Sequence, residues 1–223
     1  MATDNSARGQ HDHDLASAAL MAAACGIADA VGFTHAGVFA ANMTGNTVLA
    51  GISLAHQDWP VALDRIVTLV TFFGGAMAGR VLQRIWQDEP WLPLFVEAVL
   101  IAASAFVDPG QTPFIWLLAA AMGIQATALS RVHGMAISTV VVTSTMARLA
   151  ETTVDMIAGD PPPEGRGKRR PTTLASTWIA YAGGAVAAVL LMNATSLPLL
   201  VPAGVVLLVC VLVKTRSASP ADV

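Results

Sequence analysis

Six apolar runs take up most of this chain and leave room for little but a membrane fold. They are Leu15 to Phe39, Ile66 to Ile85, Trp91 to Val107, Phe114 to Leu129, Thr173 to Met192 and Leu197 to Val213. A helix needs about 20 mostly apolar residues to cross the hydrocarbon core of a bilayer. The runs at 91–107 and 197–213 are shorter and fit a thin or untilted crossing. One short apolar run suits a buried helix of a soluble protein, but six of them in 223 residues leave no surface for one. Charged residues make up 12% of the chain, against about 25% in an ordinary soluble domain. The runs are continuous rather than alternating, which excludes the strands of a membrane barrel. Their alanine, glycine and leucine suit helices packed closely in lipid. Cys25 and Cys210 both fall inside apolar runs and read as small packing residues, not as a disulfide.

The basic residues set a topology. Lys and Arg gather in short cytoplasmic loops. The longest polar segment, about 150–171, carries Arg166, Lys168, Arg169 and Arg170 with Arg148 just before it, and Pro161 to Pro163 keep it from being a helix interior. Arg80 and Arg84 follow the second run, and Lys214 and Arg216 follow the last. The turns at 107–112 and 193–196 have no basic residue. Six crossings with both termini cytoplasmic place all of the 12 basic residues inside except Arg65 and Arg131. Residues 1–14 are expected as a disordered polar tail and 214–223 as a cytoplasmic tail. His11 to Asp14 within the first tail read as solvated, not as a metal tract.

Markers recur in the same order along the two halves. Gly26-Ile27 and Gly37 are answered by Gly123-Ile124 and Gly134. Thr44-Gly45-Asn46 is answered by Thr143-Ser144-Thr145, Phe72 to Ala76 by Tyr181 to Ala185, and Leu92-Pro93-Leu94 by Leu197-Pro198-Leu199. A unit of three crossings is odd, so a second copy runs upside down relative to the first. The expected fold is all-α: a polytopic membrane protein of about six transmembrane helices in one domain, 15–213. It is a 3+3 inverted repeat, with repeat one about 15–108 and repeat two about 112–213.

Each half opens with a stretch too long for one crossing. As one helix, Leu15 to Ala55 would reach roughly 60 Å at ~1.5 Å per residue, twice the ~30 Å core. A broken first helix is therefore expected in each half, at Gly32, Gly37 or the Asn42 to Asn46 segment, and at Gly134. Unwound backbone in a bilayer is tolerated only inside protein or beside water. Polar residues congregate at these breaks. Asp29, Asn42, Thr44, Asn46, Gln125, Arg131, Thr143 and Thr145 are the candidates for binding a solute. Ser, Thr and Asn in membrane helices also simply tie neighbouring helices together, and Thr34, Thr47, Thr127 and Ser144 read that way. A charge near the membrane centre is costly unless paired or wet; Asp29 and Arg131 are expected to lie close, as an ion pair beside a central cavity. Glu97, His35 and His133 are candidates for proton coupling, with a core role the plainer reading for each histidine. Gly75 to Gly79 and Gly184 to Ala188 have the small-residue spacing of packing surfaces, which also suits a homodimer.

Gly26-x-x-Asp29-Ala30, Gly37-x-Phe39, Asn42 to Asn46, Gly74-Gly75 and Gly123-x-Gln125-Ala126 together resemble the YoaK-like bacterial inner-membrane proteins, a family catalogued as a domain of unknown function. The resemblance covers about 15 to 213. Thr143-Ser144-Thr145 departs from it, standing where Thr-Gly-Thr is expected. It implies a multi-pass helical protein of the inner membrane and no particular substrate.

Inverted repeats with helix breaks point to a small-solute permease or half-transporter. An ion channel and a membrane scaffold or sensor are the alternatives. No nucleophile elbow and no metal-ligand spacing suggests an enzyme. No cofactor, metal or nucleic-acid partner is expected; the partners are the lipid bilayer and an unidentified small solute.

Overall fold

The computed structural model describes the backbone of residues 2–87, 89–132, 142–158 and 171–217, and side chains within 15–87, 89–128, 146–158 (Arg148 excepted) and 174–215. Among the described residues there are eight helices and no strand: α1 (Ala2–Ala36), α2 (Met43–Ala55), α3 (Trp59–Ile85), α4 (Leu92–Ser104), α5 (Thr112–Val132), α6 (Val142–Ala158), α7 (Pro171–Ala194) and α8 (Leu200–Ser217). Residues 2–14, expected as a disordered tail, instead continue the backbone of α1. Once the apolar run has nucleated a helix, each further residue adds a hydrogen bond at little cost, and no proline interrupts this stretch.

Among the described residues, three helices are long and apolar enough to cross a membrane: Leu15–Ala36, Trp59–Ile85 and Leu174–Ala194. Leu92–Ser104, Thr112–Ala128 and Leu200–Thr215 are apolar but shorter. α1 is central, with 67% of its apolar window buried, whereas α3 and α7 bury 17% and 22% of theirs. α5 is buried along Phe114, Leu118, Met122 and Gln125. α7 and α8 pack on α1, and α3 and α4 pack on α5. The core joins Met21, Cys25, Ala28 and Val31 of α1 to Leu94 and Ile101 of α4, Leu118 and Met122 of α5, and Val206 and Val209 of α8. Outward, α3 presents Val70, Phe73, Met77, Val81 and Ile85, and α7 presents Ile179, Val186 and Leu190. In water such stripes would drive association; in a bilayer they meet acyl chains.

Contacts between helices show their relative directions. His35 and Phe114 meet edge to face at 6.3 Å, and Gln125 donates to the Met21 carbonyl at 3.0 Å, so α1 and α5 are antiparallel. Gly75 lies against Ala120, Gly79 against Ile124, and Gln83 donates to the Thr127 carbonyl at 2.8 Å, so α3 and α5 are parallel. Trp91 opens α4, and Lys214 near the end of α8 stacks over its ring at 4.4 Å. The two closest crossings use glycine. A Cβ on Gly26 would fall 2.1 Å from the Tyr181 carbonyl oxygen, and one on Gly123 would fall 2.1 Å from that of Phe72. The partner helices approach in the same way, Gly184 at Ala23 and Gly75 at Ala120. The small-residue surfaces at 75–79 and 184–188 are thus occupied within the chain.

Candidate functional site

α1 stops where the sequence supplies a glycine. Gly37 adopts φ +65°, and its N–H caps the Phe33 carbonyl at 2.9 Å, the left-handed stop that favours glycine. Residues 38–42 then double back along α1. A Cβ on Gly32 would lie 3.0 Å from the Val38 carbonyl oxygen. The return carries the chain back past the last turns of α1, roughly 10 Å at ~1.5 Å per residue, so α2 begins level with Asp29. Asn42 caps α2, its side-chain oxygen accepting from the Gly45 N–H at 3.1 Å.

Two side chains hold this returning strap. Asp29, 3% exposed, accepts through Oδ1 from the N–H groups of Ala41 at 2.6 Å and Asn42 at 3.2 Å. Its Oδ2 accepts from the Tyr181 hydroxyl of α7 at 2.6 Å. Asn46 is buried one turn into α2 and grips Phe39 at both backbone groups. Its Oδ1 accepts from the Phe39 N–H at 2.9 Å, and its Nδ2 donates to the Phe39 carbonyl at 2.8 Å. Phe39 stacks on Phe33 with ring centres 4.5 Å apart. At Phe39, Ala41 and Asn42 the strap's backbone, which lipid cannot satisfy, is met by a carboxylate and an amide from inside the protein.

The structure therefore gathers Asp29, Asn42 and Asn46 around 37–42. Thr44 is exposed in the first turn of α2. Gln125 is buried elsewhere, on the α1–α5 seam. Arg131 lies in the last turn of α5, and Thr143 and Thr145 in the first turn of α6; their side chains are outside the described residues, as is all of His133. The expected Asp29–Arg131 pair thus has one partner beyond description, while both Asp29 oxygens are already engaged. His35 is exposed at the end of α1. Glu97 is fully buried in α4. Among the described residues no group of three or more His, Cys, Asp or Glu is placed to hold a metal. Cys25 and Cys210 are buried free thiols.

Sequence reasoning missed three contributors. Tyr181 carries the hydroxyl on Asp29, and it is the single tyrosine of the chain, placed in the marker that answers Phe72. Gln83 ties α3 to α5. Arg65, one of the two basic residues at odds with the charge distribution, donates to the Leu49 carbonyl at 2.7 Å and to the Ser53 hydroxyl on α2. A cation near the carboxyl end of a helix is favourably placed against its dipole.

Comparison with known proteins agrees with the membrane reading. Residues 17–213 match the family described as Protein of unknown function (DUF1275). The UPF0700 transmembrane protein YoaK of Bacillus subtilis (strain 168) is 31% identical over 143 residues, which are 59% of this chain and 64% of that protein. The match thus spans a little under two thirds of the relative's length. No solved structure matches the chain. With a helical bundle faced by apolar side chains and a family match running from the first apolar helix to the last, the chain is a membrane protein belonging to the YoaK-like DUF1275 family.

Proposed function

We propose that this protein is a small-solute permease of the bacterial inner membrane, built as two inverted three-span units with both termini in the cytoplasm. The observation that carries the proposal is the repetition of the glycine crossings. The step along the chain from Gly26 to Gly123 equals that from Ala23 to Ala120, and the step from Phe72 to Tyr181 equals that from Gly75 to Gly184 and from Ala76 to Ala185. Swapping the halves turns the α1–α7 crossing into the α5–α3 crossing, and the packing of α8 on α1 into that of α4 on α5. The antiparallel α1 and α5 supply the inversion. Related folds in opposite orientation provide two interconvertible gates around one site.

The strap at 37–42 adds support, because irregular backbone at membrane depth belongs beside a cavity or inside protein. The solute site proposed lies where α2 begins and where the start of α6 would answer it. Thr44, Thr143, Thr145 and Arg131 are its candidate contacts, with Asp29, Asn42 and Asn46 holding its frame. Arg80, Arg84 and Lys214 would then mark the cytoplasmic end, at which Lys214 meets Trp91.

The test is solute binding followed by flux. Purified protein is screened for thermal stabilisation by anions, cations, amino acids and nucleobases. A ligand should stabilise the wild type but not Thr44→Ala, and should show counterflow in proteoliposomes. Flux without counterflow would instead indicate a channel. No ligand and no flux would leave a scaffold or sensor.

A further inference from the structure

The core of the bundle contains a carboxyl group with no hydrogen-bond partner among the described residues. Glu97 lies in the second turn of α4 and has no exposed surface. Neither of its oxygens has a hydrogen-bond partner among the described residues. Asp29, the other buried carboxylate, differs in taking two backbone N–H groups and a tyrosine hydroxyl. Leu94, Ala98 and Ile101 of the same helix belong to the apolar core. α1 brings Cys25, with Asp29 one turn beyond, and α8 brings Cys210, both thiols belonging to the same core. The side chains described for α5 include no titratable group. Lys214 of α8 is engaged on Trp91. α3 touches α4 only lightly, and its Arg80 and Arg84 lie toward the α3–α4 turn. No described cation neutralises Glu97, and no described donor solvates it.

An ionised carboxylate is not sustained in such surroundings, whereas a neutral acid is. We propose that Glu97 is a proton-binding site. The acid keeps its O–H bond while α1, α4 and α8 enclose it. When those helices part, the bond breaks, the proton passes to water and the carboxylate is hydrated. The opening step rests on the permease reading; the proton site itself rests on the packing. The position in α8 that answers Glu97 is Pro202, so each chain offers one such site and not two.

Infrared difference spectroscopy of the full chain in lipid, over a pH series, tests this. Expected is the carbonyl stretch of a protonated carboxylic acid in apolar surroundings, lost as pH rises. The band should be absent in Glu97→Gln. It should be shifted in Glu97→Asp, which keeps the assignment secure if the glutamine variant fails to fold. A wild type without the band at any pH, or with a band unchanged throughout the series, overturns the proposal. Solute flux without a titrating band also overturns it and leaves the permease standing. A titrating band without flux of any solute retains the proton site and removes the permease.

Discussion

At the scale of single residues, the polar groups near the break serve the backbone first. Removing the Asp29 carboxylate strands two N–H groups and a hydroxyl, and each unmet buried group costs about 1–3 kcal/mol. Asp29→Ala should therefore lower stability by about 3 kcal/mol or more. Tyr181→Phe loses one hydrogen bond within the bundle and should cost only about 1 kcal/mol. Asn46→Ala should fall between them, since Phe39 loses both of its partners. Thermal unfolding in detergent gives the order directly; an Asp29→Ala protein as stable as wild type would mean that the strap is held by other contacts. The sequence singles out Asp29 and Asn46 as polar residues near the break and as candidates for binding a solute. It did not show that they turn back on their own chain, because the partner groups are backbone amides, which carry no residue-type signature. Tyr181 was quoted as a repeat marker, yet its hydroxyl was legible only once α7 was placed against α1.

At the scale of helices, apolar periodicity carried most of the information. The run 66–85 sits inside α3, 91–107 contains α4, and 173–192 sits inside α7, because burial in lipid rewards continuous apolar length. The divided first stretch was legible from length alone, while Gly37 was one of three candidate break points beside Gly32 and the segment 42–46. The depth to which 38–42 returns was not, since that depends on Asp29 reaching Ala41. The crossings make a sharp prediction. Gly26→Ala and Gly123→Ala each force a Cβ into a facing backbone carbonyl and should cost about 1–3 kcal/mol by overpacking. Gly74→Ala and Gly183→Ala meet nothing within 4 Å and should change stability by no more than about 0.5 kcal/mol. Melting temperatures of the four variants settle the comparison. Equal losses at all four would mean that the helices do not meet along these faces.

At the scale of the whole molecule, the inverted arrangement proposed above predicts opposite exposure of two short segments. In a Cys25→Ala, Cys210→Ala background, Gln111→Cys should react with a membrane-impermeant thiol reagent from outside intact cells. Ser217→Cys should react only after the cells are opened. Labelling of both from the same side would remove the two-unit symmetry. The Lys214–Trp91 contact belongs to the same frame. It joins the end of α8 to the start of α4, so Lys214→Ala should loosen that end without altering which side it faces, as protease accessibility of the carboxyl tail would show.

The glycine crossings divide the labour of any motion. α1 with α7, and α3 with α5, are locked backbone to backbone, where even one added carbon has no place. Each couple must travel as a rigid blade. The seam between α1 and α5 touches more sparingly, chiefly through His35, Ile115 and Gln125. Any relative displacement of the two couples therefore falls on the α1–α5 seam and on the packing of α4 against α8.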